Sequence, residues 1–304
     1  MKFGVKRNGA PIPHSLPRMD EYHKAVLVKE AIDGLGVVSD KRYIDATLGG
    51  GGHLEEIIRR GGIVLGIDTD REAVEFVRQK VEKKQATLVQ GNFRDIETIA
   101  RSHGFDHVDG ILFDLGVSSH QLDMPQRGFS YRFGDAPLDL RLNQSEGETA
   151  ASLLQRLSEE ELYEIFAHFG EEERARPIAR AICRARAIKP IRSVGQLVSI
   201  VQAVVVDQRL QPAVLSRIFQ ALRIAVNDEI GALKAGLEGS RKLLGKGGRL
   251  AVISFHSLED RMVKRFFQRE DWNTLTKKPI VARDIEVEQN RRARSAKLRI
   301  AEKL

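Results

Sequence analysis

The chain has 304 residues, 42% of them hydrophobic, and a formal charge of +7 at pH 7. That content can bury the core of one large domain or two modest ones, while the lone Cys183 excludes a disulfide framework and fits a reducing compartment. No apolar stretch approaches the roughly 20 residues that span a bilayer and no signal-peptide segment opens the chain, so the expectation is a soluble cytoplasmic protein without a membrane partner; the positive charge permits a polyanionic one.

Residues 1–21 hold three of the nine prolines and no periodicity, and read as a mobile N-terminal arm. From Tyr22 short apolar runs alternate with helical patterns. Strands are expected at 43–49, 63–70, 86–93, 110–116 and 249–257, with helices at 53–60 and 71–83 between the first three. This is the spacing of βαβ units in a doubly wound, mostly parallel sheet. No strand pattern occurs from about 140 to 216. Ser158 with Glu161, and Ser193 with Gln196, are capping-box pairs that open amphipathic helices there. The expected organisation is an α/β domain made of residues 22–139 and 217–304, interrupted by an all-helical insert over 140–216. A long helical pattern then runs from near Leu215 to the glycines of "GKGG" at 245–248.

The turn after the first strand, "DATLGGGGH", carries four consecutive glycines, Gly49 to Gly52. In parallel α/β sheets the first strand-to-helix turn is the usual ligand contact. A dinucleotide fingerprint would need glycine at 54, where Leu54 stands. Asp68 ends the second strand 19 residues after Gly49, where a carboxylate can accept both hydroxyls of a ribose. Asp70 competes for that role but is better placed to cap the next helix. Phe93 follows the third strand, where its ring can pack on adenine or in the core, and Asp114 ends the fourth. His53 and His256 lack companions at ligand spacing, so no metal is expected. Ser118, Ser119 and Ser257 lack a base partner for a hydrolase triad.

The blocks "DATLGGGGH", "FDLGVSSHQLD", "RGFSYRFGDAPLDLR", "FQALRIAVNDEI" and "VISFHSLEDR" resemble the RsmH (MraW) family of bacterial small-subunit (16S) rRNA cytosine-N4 methyltransferases. The resemblance runs from about His23 to the C-terminus. It implies a class I, Rossmann-like methyltransferase with S-adenosylmethionine as donor, small-subunit rRNA or the 30S subunit as partner, and a cytosine of the decoding centre as acceptor. It also implies donor contacts at Gly51, Gly52, His53, Asp68, Phe93, Asp114 and Gln121, and a substrate-recognition role for the helical insert. Two departures fall on the substrate side: His120 stands where the family has proline, and "PAVLSRIFQ" is two residues longer than the family's block.

Methylating an exocyclic cytosine amine requires its delocalised lone pair to localise, which an acceptor for an N4 hydrogen assists. Asp114 and the carbonyl of Leu115 are candidates, and Asp114 can equally serve the donor alone. Arg176, Arg180 and Arg184 recur at four-residue steps and form one basic helix face, suited to phosphates or to pairing with Glu171–Glu173. A second basic run, "NRRARSAKLR" at 290–299, includes Arg291, Arg292 and Arg294, and is suited to order on rRNA or to be a charged tail. The alternatives are a DNA cytosine or adenine amino-methyltransferase, which usually carries (D/N)PP(Y/F) where this chain has "DLGVSS"; a nicotinamide-dependent oxidoreductase; and a non-catalytic rRNA-binding assembly factor.

Overall fold

The computed structural model describes residues 25–82 and 86–304; the expected N-terminal arm, 1–21, lies outside them. In chain order the first half comprises α1 (Val28–Leu35), β1 (Arg42–Asp45), α2 (Gly52–Arg59), β2 (Ile63–Asp68), α3 (Arg71–Arg78), β3 (Ala86–Gln90), α4 (Ile96–Ser102), β4 (Val108–Asp114) and α5 (Ser119–Asp123). Then come α6 (Ala150–Arg156), α7 (Glu159–His168), α8 (Ala175–Ile188), α9 (Val194–Val204), α10 (Gln211–Asn227) and α11 (Glu229–Leu243). The chain continues through β5 (Leu244–Ser254), α12 (Ser257–Phe266), β6 (Trp272–Thr274), α13 (Asp284–Gln289) and β7 (Lys297–Lys303).

The seven strands form one sheet in the order β3-β2-β1-β4-β5-β7-β6. β1 to β5 pair in parallel, and β7 runs antiparallel to both β5 and β6. β4, "VDGILFD", is buried at all but one position, as a strand covered on both faces must be. One face packs on α1, α2 and α3 through Ile32, Leu54 and Val74, and the other on α4, α11 and α12 through Ile96, Leu237 and Val263.

Helices α6 to α10 bury a third apolar cluster of their own, with Leu154, Phe166, Ile182 and Leu197 fully enclosed. Both expected capping boxes are present, at Ser158 with Glu161 and Ser193 with Gln196. The helical layer reaches past the expected boundary at 216, because Ile218, Phe219 and Leu222 of α10 join the same cluster.

Two expectations are corrected. The single long helix after Leu215 is two helices, broken at Asp228 in a left-handed conformation (φ 46°); aspartate is among the few residues that visit this region. The alternative that the run 290–299 is a charged tail is the second: these residues enter the sheet domain. Lys297–Arg299 begin β7, and Arg299 is neutralised by Asp260 of α12 at 2.7 Å.

Candidate active site

The strand order reverses between β1 and β4, which flank each other and lead to opposite halves of the sheet. Ligands of open α/β sheets bind outside the carboxyl ends at such a point. A narrow groove of about 60 Å³ lies there, and its lining includes Gly49, Asp68, Phe93, Asp114 and Gln121. Leu142 and Arg292 are the two lining residues that come from outside the strand ends and the helix starts beside them.

The glycine turn is built for backbone geometry and close packing. Gly49 and Gly51 have φ of 48° and 84°. A β-carbon on Gly51 would lie 3.0 Å from Val77, and one on Gly52 would lie 2.8 Å from Ala25. Gly51 and Gly52 therefore face protein atoms, and Gly49, absent from the expected donor set, lines the groove. His53 is buried in the first turn of α2, with Nε2 3.0 Å from the carbonyl of Val26.

Asp68 holds the turn in place. Its Oδ2 accepts the Gly49 N–H and its Oδ1 the Asp70 N–H, both at 2.8 Å. Burial pushes its carboxyl up to about 6 against those bonds, and Asp70 adds to the rise. Asp70 caps α3 by accepting the Glu72 N–H, as expected from its position. Phe93 meets Phe113 edge to face, with centroids 5.4 Å apart, and lines the groove. Asp114 is buried at the end of β4, and its N–H donates to Thr47 Oγ1 at 2.5 Å. Gln121 completes a capping box with Ser118 and donates from Nε2 to Asp70 Oδ2 at 2.7 Å.

Behind the turn, the buried Asp45 is also raised to about 6, by burial first, with Asp114 and Asp68 adding to the effect and His53 opposing it. Its Oδ2 makes no hydrogen bond among the described residues.

The basic residues separate into distinct environments. Arg291 and Arg294 are exposed. Arg292 instead turns into the groove and lies over the Phe255 ring, 4.6 Å from its centroid. Burial draws its guanidinium below the usual arginine range, and Asp114 opposes this. On the insert, exposed Arg176 forks onto Glu160 at 2.8 and 3.1 Å and stacks on Tyr163, while Arg180 pairs with Glu159 at 3.1 Å. Those partners lie on α7; Glu171 and Glu172, expected to serve, pair with Arg261 and Arg217. Arg184 is exposed and makes no ion pair among the described residues.

Several residues to which the sequence reading gives no site role, although they lie in the family blocks, gather near the groove. Arg223 of α10 donates through Nε and Nη2 to Glu229 of α11, at 2.8 and 3.0 Å. His256 caps α12, with Nδ1 facing the Glu259 N–H and Nε2 3.1 Å from Glu259 Oε1. Among the described residues Glu229, His256 and Glu259 are the trio whose ligand atoms lie within 4.8 Å of one another. Arg223 already supplies a cation to its carboxylates.

A glycine turn, a carboxylate at the second strand's end, an aromatic wall and a second carboxylate opposite suit a nucleoside that carries a sulfonium. The fold and this groove define a class I S-adenosylmethionine-dependent methyltransferase. The MraW methylase family profile matches residues 20–304, and the chain belongs to that family. It is similar to the "Ribosomal RNA small subunit methyltransferase H" of Carboxydothermus hydrogenoformans, 43% identical over 309 residues, 94% of this chain and 99% of that protein. It is also similar to the protein of the same name from Deinococcus radiodurans, 48% identical over 284 residues, 92% of this chain and 89% of that one. A superposition on an rRNA methylase from Streptococcus thermophilus has a TM-score of 0.42 at 11% identity, over 92% of this chain and 98% of that one. That likeness is too slight to carry weight.

Proposed function

We propose that the protein transfers a methyl group from S-adenosylmethionine to the N4 amine of a cytosine in small-subunit rRNA. The observation that carries this reading is the convergence of Gly49, Asp68, Phe93, Asp114 and Gln121 on one groove, in a chain whose relatives over nearly its full length are named as small-subunit rRNA methyltransferases. The donor supplies an electrophilic methyl on a positively charged sulfur.

The protein's own residues then have defined tasks. Asp68 accepts the ribose hydroxyls, its position fixed by the Gly49 and Asp70 N–H groups. Phe93 flanks the adenine, and Gly51, Gly52 and His53 hold the turn that Gly49 opens. Gln121, fastened to Asp70, keeps α5 against the groove. Asp114 sits where positive charge is carried, and its carboxylate balances the sulfonium. It is also the nearest candidate to accept an N4 hydrogen, which would localise the amine lone pair for in-line attack. Leu142 lines the groove from outside the strand ends and limits water at these contacts. We further assign RNA contact to the insert, through Arg176, Arg180 and Arg184, and to Arg291 and Arg294 beside the groove, in the 30S subunit or its free rRNA.

The test is incubation of the folded protein with labelled S-adenosylmethionine and small ribosomal subunits that lack the modification. Label on cytosine N4 is expected. Its absence, with donor binding intact, would overturn the substrate assignment.

A further inference from the structure

A second cavity, of about 300 Å³, meets the donor groove along the segment after β4, where Gly116 and Ser118 line the groove and Val117 between them lines the cavity. We propose that it receives the acceptor base, a cytosine turned out of its RNA stack, and that Arg223 reads the N3 and O2 edge of that base. This assignment rests on the function proposed above and adds to it the place and the reading residue.

Position is the first argument. The segment that leaves β4 faces both spaces, with Asp114, Gly116 and Ser118 on the groove and Val117 on the cavity. A β-carbon on Gly116 would lie 3.8 Å from Phe255 and 3.9 Å from Nη1 of Arg223, both of which line the cavity. Gly116, on the groove, therefore lies against two of the side chains that line the cavity. Chemistry on an exocyclic amine requires the base to leave its stack, and a pocket beside the methyl donor is where it must arrive.

Lining chemistry is the second. Phe129, Tyr131, Phe219 and Phe255 border the cavity, and Tyr131 meets Phe219 edge to face at 6.0 Å. Splayed bases are held on such aromatic surfaces. The walls come from the loop after α5, from α10 and from the turn between β5 and α12, so the pocket lies where the helical layer meets the sheet, a common place for ligand sites.

Arg223 supplies the reading group. Glu229 holds Nε and Nη2, which fixes the guanidinium plane, while Nη1 donates to no protein group among the described residues and faces Gly116. Against the burial that would discharge it, Glu229 and Glu259 keep the group charged. Cytosine offers acceptors at N3 and O2 to such a donor, whereas uracil offers a competing N3–H. His256 also lines the cavity, but its ring is committed to Glu259 and to the cap of α12, which makes it a wall.

The experiment has three arms. Mass spectrometry first locates the cytosine that the wild-type enzyme methylates in small-subunit rRNA; no methylated cytosine would overturn the proposed function itself. RNA carrying 5-iodocytosine at that position is then irradiated with the enzyme and S-adenosylhomocysteine. Adducts are expected at Tyr131, Phe219 or Phe255, and adducts confined to other surfaces would overturn the pocket while leaving the function standing. Finally, Arg223→Lys should keep the melting temperature and donor affinity and lose at least about tenfold in kcat/KM. RNA with uracil at the target should compete poorly for the wild type and nearly as well as cytosine for the variant. An unchanged preference in the variant would overturn the reading role of Arg223.

Discussion

Nη1 of Arg127 lies 2.8 Å from Oδ2 of Asp70, and both side chains are almost wholly withdrawn from solvent. The same oxygen accepts Nε2 of Gln121, and Nη2 of Arg127 reaches the carbonyls of Arg141 and Leu142. One buried ion pair thus ties the start of α3 and α5 to the strand of loop that brings Leu142 over the groove.

Arg127→Met should therefore be costly. It leaves Asp70 buried without its cation, for which a loss of about 3–5 kcal/mol is expected. Urea unfolding of the variant measures it, and Arg127→Lys should recover part of the loss.

Asp68→Ala should weaken S-adenosylmethionine binding by roughly 1–3 kcal/mol, because two hydroxyls lose a charged acceptor. RNA affinity without donor should hold. Calorimetry and filter binding read the two separately, and equal losses would point to damage in the fold. In the wild type, donor affinity should fall as pH drops through about 6, where Asp68 takes up a proton.

The carboxyl of Asp45, also raised to about 6, contributes to stability with the opposite pH dependence from a salt-bridged acid. Unfolded, an aspartate titrates near 3.9, so between roughly pH 4 and 6 the folded chain holds a proton that the unfolded chain has lost. Stability from this site falls as pH rises through that window. Asp45→Asn should stabilise the protein by about 1–3 kcal/mol at pH 7 and by little at pH 4, as read by denaturant midpoints at the two pH values.

Replacing Arg176, Arg180 and Arg184 together by alanine should weaken rRNA binding and flatten its salt dependence. Because Glu160 and Glu159 already neutralise two of the three, the log–log slope should drop by about one, not three. An unchanged slope would return these arginines to a solvated helix face.

The carboxyl edge of the sheet was legible because each of its features is local. A strand end followed by glycines, by Asp68 or by Asp114 states its position in a few residues, and Asp70 as a cap needs only its place before α3. What escaped depends on distant partners. β7 reads as the end of a basic run because Lys297 and Arg299 follow Arg291, Arg292 and Arg294, and the burial of Arg299 rests on Asp260 of α12. Arg292 reads as one more basic residue until the fold turns it into the groove. Arg223 and Glu229 read as parts of one long helix, six residues apart and on different faces, since the break that brings them together is an aspartate and not a glycine.

β4 and β5 are hydrogen-bonded neighbours, yet the chain runs through seven α-helices between them. Closing so long a loop from a disordered chain carries an entropy cost that grows with its length. Helices α6 to α10 bury their own apolar cluster from contacts near in sequence, which form quickly. Once consolidated, they bring the end of β4 and the start of α11 within a folded body's width and shorten the loop that remains. The order of assembly that follows is insert first and β5 second, so substitutions in the insert core, such as Ile182→Val, should slow refolding of the sheet although they touch none of its strands.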